Sequence, residues 1–147
     1  MKPKLFVDSD IILDLFLARE PHVEFAKIVF GLAEQGLVSL YVSSLIFSNL
    51  DYILSRQLSK PVSRQILQRL KLLVSVLSVD ARVIDLALSS AFNDFEDAIQ
   101  HYCAIQHQIP VILTRNIKDY KKGRLPVMTA EDYVKGLDRG QKDGSLS

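Results

Sequence analysis

The sequence predicts an α/β fold, a mostly parallel sheet covered by helices on both faces, in one domain. Three observations lead there. Short apolar runs recur along the chain and stop abruptly at acids or turn residues. Stretches with helical apolar spacing separate these runs, and 147 residues with 48% hydrophobic content suit a single sizeable core.

Lys4-Leu-Phe-Val-Asp8 is the first run and reads as a buried strand that reaches the rim of the sheet at its acid. From Asp10, the apolar residues Ile11, Ile12, Leu15 and Phe16 recur at helical spacing. After Pro21 a second helix carries Phe25, Ile28, Val29 and Leu32 and ends near Gly36, a C-cap. Leu37 to Ser43 alternates, with Val38, Leu40 and Val42 on one side, and Ser43 or Ser44 can cap a helix bearing Leu45, Ile46, Leu50, Ile53 and Leu54. Ser59 to Leu73 is the next helix, with Ser59 as N-cap and Pro61 in its first turn. Val74 to Val79 alternates again and closes at Asp80, an N-cap for a helix with Val83, Ile84 and Ala87. Asn93 to Asp97 opens a helix expected to bury Ala98, Tyr102, Cys103 and Ile105. Pro110 to Thr114 and Pro126 to Thr129 are strand-like, a last helix spans Ala130 to Leu137, and the polar stretch 138–147 is expected to be a flexible tail.

Composition narrows the function classes. Eighteen Lys and Arg against seventeen Asp and Glu leave a net charge of +1, which excludes a polybasic nucleic-acid wrapper, so any nucleic-acid contact must come from local charge. Cys103 is the single cysteine, which excludes a disulfide scaffold and a thiolate zinc site, and a reducing cytoplasm is the expected compartment. Acids interrupt the first apolar stretch, and no apolar run approaches the roughly 18 residues of a membrane span. No membrane partner is expected.

In parallel sheets, sites form at the carboxyl ends of strands. Those positions hold Asp8 and Asp10 after the first strand, Asn49 one turn into the helix after the second, and Thr114, Arg115, Asn116 and Asp119 after a later one. Asp94, Glu96 and Asp97 add a helix start. Clustered carboxylates repel, and raised pKa values or a hard cation such as Mg2+ or Mn2+ relieve the repulsion. The cation is the favoured reading. A bound metal can lower the pKa of a water and stabilise charge developing on a phosphodiester. Each acid taken singly also has a plainer reading: helix-dipole partner for Asp94, Glu96 and Asp97, N-cap for Asp10, surface ion pair for Asp119.

The order and wording of four stretches resemble the PIN domain family, metal-dependent ribonucleases that include the VapC-like toxins of bacterial toxin-antitoxin pairs. The stretches are Phe6-Val-Asp-Ser-Asp-Ile-Ile-Leu-Asp-Leu-Phe16, Ser43-Ser-Leu-Ile-Phe-Ser-Asn-Leu50, Asp94-Phe-Glu-Asp-Ala98 and Leu113-Thr-Arg-Asn-Ile-Lys-Asp119. The resemblance implies a Rossmann-like three-layer α/β/α sandwich over residues 1–137 and an endoribonuclease using Mg2+ or Mn2+. It further implies Asp8, Asp97 and Asp119 as metal-binding and catalytic acids, completed by Asp94 and Asn116, with an antitoxin protein and a homodimer as partners alongside RNA. Asn49, Thr114 and Asp10 would line the site. Asn49 stands where many PIN nucleases have Glu, and Asn116 where they often have Asp, as in a subset of bacterial members with Asn at the second position. A neutral amide binds a divalent cation more weakly than a carboxylate does, and the spacing of Asp94 and Asp97 compensates by placing both on neighbouring turns.

Arg115, Lys118, Lys121, Lys122 and Arg124 cluster against the single acid Asp119, and Arg115, Lys118 and Lys121 are expected to contact phosphates. Arg56, Lys60, Arg64, Arg69 and Lys71 form a second acid-free set that also reads as a solvated helix face. His22 is expected to be exposed, His101 and His107 to have surface or half-buried structural roles without a shared metal, and Cys103 to be a core residue. Two other readings compete. Asp8-Ser-Asp10 after a strand also resembles the nucleophile loop of haloacid dehalogenase-like phosphatases, although Glu131-Asp132, the later acid pair, lies inside the last helix. A catalytically weak PIN-like module that binds RNA or protein is the other, kept open by Asn49 and Asn116.

Overall fold

In a computed structural model that describes residues 2–145, with side chains through Asp138, five strands form the predicted sheet. They are β1 (Lys4–Val7), β2 (Ser39–Ser43), β3 (Ser75–Leu77), β4 (Ile112–Leu113) and β5 (Val127–Met128). Helices fill the connections: α1 (Ser9–Phe16) and α2 (Val23–Glu34), α3 (Leu45–Gln57) and α4 (Lys60–Leu73), then α5 (Ala81–Leu88) and α6 (Phe95–Gln106). A short 3-10 turn (Ile117–Tyr120) joins β4 to β5, and α7 (Ala130–Ser145) follows.

Strand order is β3-β2-β1-β4-β5, with every neighbouring pair parallel. The chain steps outward from β1 to β3 and then crosses back to lay β4 on the other side of β1. Such a reversal leaves a crevice at the carboxyl ends of the two strands it separates, because their crossovers run to opposite sides. Val7 pairs with Leu113, so Asp8 and Thr114 emerge side by side at that crevice.

Strand alternation sorts the core into two halves. Leu5, Val7, Leu40, Val42 and Leu113 pack with α1, α2, α3, α4 and the start of α7, whereas Phe6 and Ile112 pack with α5, α6 and Tyr120. Phe6, Ile12, Ile46, Leu50 and Leu54 are wholly buried, and each such side chain contributes about 1.5–3 kcal/mol of hydrophobic stabilisation. This is the three-layer α/β/α sandwich.

Local signals set most helix ends. The Ser59 hydroxyl accepts from Val62 N at 3.2 Å and Asp80 from Val83 N at 3.1 Å, as N-caps should. Gly36, at φ +76°, follows α2 in the left-handed region that favours glycine. Other details differ from expectation. Asp8, not Asp10, caps α1, accepting from Ser9 N at 2.7 Å. Ser44 precedes α3 without a side-chain cap; its hydroxyl instead accepts from Val79 N across the sheet. Helix α6 buries Ala98 through His101 together with Cys103 and Ala104, while Tyr102 and Ile105 are only half-buried, because α6 is enclosed by α5, β2 and the 3-10 turn rather than by the sheet alone. Helix α7 continues past Leu137 to Ser145, and the side chains of the expected tail from 139 onward lie outside the described residues. No helix among the described residues is long and apolar enough to cross a membrane.

Candidate active site

Asp8 leaves β1 with its side chain only 4% exposed, a costly place for a carboxylate without partners. It has them. Oδ1 accepts from Ser9 N, and Oδ2 accepts from the Thr114 hydroxyl at 2.9 Å and the Tyr120 hydroxyl at 3.1 Å. The same Thr114 hydroxyl lies 3.2 Å from Asp10 Oδ2, and with one proton to give it serves only one of the two carboxylates at a time. Asp10 Oδ2 also accepts from Arg115 N at 2.9 Å, while its Oδ1 is buried without a partner. Asp10 is therefore a link between α1 and the end of β4.

On the other side of the crevice, Asp94 caps α6 by accepting from Asp97 N at 2.9 Å. Asp97, in the first turn, meets the Tyr120 hydroxyl at 3.4 Å. Asp8 and Asp97, from the front and the later half of the chain, thus share one hydroxyl donated by the 3-10 turn. Burial, followed by the charges of Asp8, Asp94, Asp119 and Glu96, pushes the Asp97 carboxyl up to about 7. Burial and the Asp8 charge push Asp10 up to about 6. Glu96 is raised by burial and by Asp8 and Asp94, opposed by the neighbouring Asn49 amide. A crevice that raises several carboxyls at once is one that a positive charge would relieve.

These residues fit a hard divalent cation in donor chemistry: all are oxygen ligands, and Asp97 stands in the field of four other acids. Among the described residues, no three acid, histidine or cysteine side chains stand together closely enough to hold a metal ion by themselves.

The expected site residues divide accordingly. Asp8, Asp10, Thr114 and Asp97 are joined through hydrogen bonds, directly or through Tyr120, and Asp94 and Asp119 add charge. Asn116 and Asp119 are exposed, and no ion pair to Asp119 occurs among the described residues. Lys118 and Lys121 are exposed and line a groove of about 240 Å³ with Asp94 and Asp119. Arg115, expected to face phosphate, is instead drawn inward: Nε and Nη2 bond the two oxygens of Asp14 at 2.8 and 3.0 Å. The cause is Asp14 itself, only 1% exposed and in need of a counter-charge. Asp14 and Tyr120 carry roles that the linear reading missed; the one signal for Asp14 was an acid amid the apolar residues of α1.

The histidines also sort by burial. His101 is 0% exposed rather than half-buried, Nε2 accepting from Arg124 N at 2.9 Å, and burial with the Arg124 charge lowers it to about 4. His107 meets the Ser78 carbonyl at 3.2 Å, so the two rings take separate partners, and His22 is half-buried rather than exposed. Cys103 is buried, and its thiol is pushed up to about 12, which keeps it protonated and unreactive.

Comparison with known proteins agrees with this geometry. No curated protein sequence matches the chain. Among solved structures, VapBC2 from Rickettsia felis bound to a promoter DNA fragment aligns with TM-score 0.65 and 14% identity, covering 84% of this chain and 96% of that one. A toxin-antitoxin complex from Klebsiella pneumoniae gives 0.64 and 20%, covering 86% and 97%. The sarcin-ricin loop cleaving toxin VapC20 from Mycobacterium tuberculosis gives 0.59 and 18%, covering 74% and 86%. These likenesses establish the fold. The sequence profile of the PIN domain matches residues 4–118, from β1 through Asp8, Asp97 and Thr114, and stops just before Asp119 and Tyr120. With the sheet order, the acid-lined crevice and a profile match over most of its length, the chain belongs to the PIN domain family.

Proposed function

We propose that this protein is a Mg2+- or Mn2+-dependent endoribonuclease of the toxin type, held in check by an antitoxin protein. One observation carries the reading: Asp8 and Asp97 converge on the Tyr120 hydroxyl in a crevice where burial and then the neighbouring acids raise Asp97 to about 7. Asp8, Asp97 and Asp119 would hold the cation, with Asp94 and Asn116 beside them. A divalent ion bound there supplies charge neutralisation and an acidified water. Thr114, at the end of β4, fixes Asp8, and the exposed Lys118 and Lys121 attract the phosphates that flank the scissile one. The toxin-antitoxin assemblies among the structural relatives support the partner, for which a basic or apolar segment over the acidic rim is the complementary chemistry. The family match favours this reading over a haloacid dehalogenase-like phosphatase.

A second reading has its own observation. Asn49 and Asn116 put neutral amides at the rim, which fits a PIN-like module that binds RNA or protein without cutting it. Labelled RNA incubated with Mn2+ or Mg2+, with EDTA, and with Asp97→Asn separates the two. Cleavage that needs the metal and disappears in the variant supports the nuclease; metal-independent binding with intact RNA supports the module.

A further inference from the structure

We infer that Tyr120 is a positioning residue of the acid crevice, its hydroxyl setting the separation of Asp8 and Asp97 so that both present oxygens to one divalent cation. The inference rests on the reading of those two acids as cation ligands. Tyr120 sits in a lysine-rich segment yet is 2% exposed. Its hydroxyl is 3.1 Å from Asp8 Oδ2 and 3.4 Å from Asp97 Oδ1, so it satisfies Asp8 while standing between two carboxylates that otherwise repel.

The ring has little freedom to move. It meets Phe92 edge-on, with centroids 6.0 Å apart, and Phe92 tilts onto His101 at 5.0 Å. His101 in turn presses on Gly123, where a Cβ would come within 2.6 Å of the imidazole, so the segment after Tyr120 is closed against α6. An aromatic stack thereby fixes one hydroxyl between acids from two distant parts of the chain. A phenylalanine would keep the whole stack and remove only the hydroxyl, which separates positioning from packing.

The test is a Mn2+ titration of the full chain followed by the electron paramagnetic resonance signal of free Mn2+, for wild type, Tyr120→Phe and Asp97→Asn. Loss of an outer-shell partner typically weakens metal binding by about 10–100-fold, and that loss is expected for Tyr120→Phe, with a metal-free melting temperature close to wild type. In the RNA assay its half-saturating Mn2+ should rise by a similar factor, while KM for RNA at saturating Mn2+ stays unchanged. Mn2+ affinity within twofold of wild type would reduce Tyr120 to a packing residue and overturn the inference. So would a collapse in melting temperature, which would mark the hydroxyl as a folding bond, or a wild type that binds no Mn2+. A wild type that binds Mn2+ but leaves RNA intact would sink the nuclease reading alone, and the comparison of Mn2+ affinities would still decide the role of Tyr120.

Discussion

Arg115 grips Asp14 with two parallel hydrogen bonds, at 2.8 and 3.0 Å, and the two partners differ sharply in exposure: 31% for the arginine side chain, 1% for the aspartate. Removing either partner therefore has unequal consequences. Arg115→Met leaves a buried carboxylate without its counter-charge and should destabilise by about 3–5 kcal/mol. Asp14→Asn leaves an arginine that can turn to solvent and should cost about 1–2 kcal/mol. Urea denaturation of both variants checks the order, and equal losses would contradict it.

Asp97 carries the opposite sign. Because its folded-state carboxyl is raised from 3.8 to about 7, the folded protein binds more protons than the unfolded chain between those values, and stability falls as pH rises through that window. In EDTA at pH 8, Asp97→Asn should therefore melt above wild type. Added Mn2+ should reverse the order, since wild type gains stability by mass action and the variant does not. Thermal melts in the two buffers measure this directly.

For His101 the direction turns again. Its folded value of about 4 lies below the ordinary 6.5, so the unfolded chain takes up the proton first and stability is lost as pH falls from about 6.5 to 4. The loss is on the order of 3 kcal/mol, at 1.36 kcal/mol for each unit of the difference. His101→Gln, which keeps an acceptor for Arg124 N, should show a flatter stability profile across that range. An unchanged slope by urea denaturation at pH 4.5 and 6.5 would contradict it.

Core and surface leucines make a calibration pair. Leu54, on the buried face of α3, is 0% exposed, and Leu54→Ala should cost about 2–5 kcal/mol through lost transfer energy and the cavity left behind. Leu72, on α4, is 87% exposed, and Leu72→Ala should change stability by no more than about 0.5 kcal/mol.

What the sequence disclosed follows from which forces are local. Asp8 was legible because an apolar strand that ends in an acid has few structural reasons to do so, and the strand-helix alternation, Ser59 and Asp80 were legible because each depends on neighbours within a turn. Arg115 misled because its partner lies 101 residues away, and in a basic stretch an unpaired guanidinium is the natural assumption. Tyr120 stayed hidden for the same reason: flanked by Lys118, Asp119, Lys121 and Lys122 it reads as surface, and only the closure of its turn onto α6 buries it. His101 likewise needed the position of Gly123, which no helical periodicity contains.

The reversal of strand order has a bearing on synthesis. Asp8 and the Thr114 hydroxyl that steadies it are 106 residues apart, and β4 can dock beside β1 only after the intervening three quarters of the domain has emerged from the ribosome. A nascent chain halted anywhere before that strand owns some of the acids but no crevice to gather them. For a protein proposed to cut RNA, that order of synthesis keeps the acids apart until β4 has emerged.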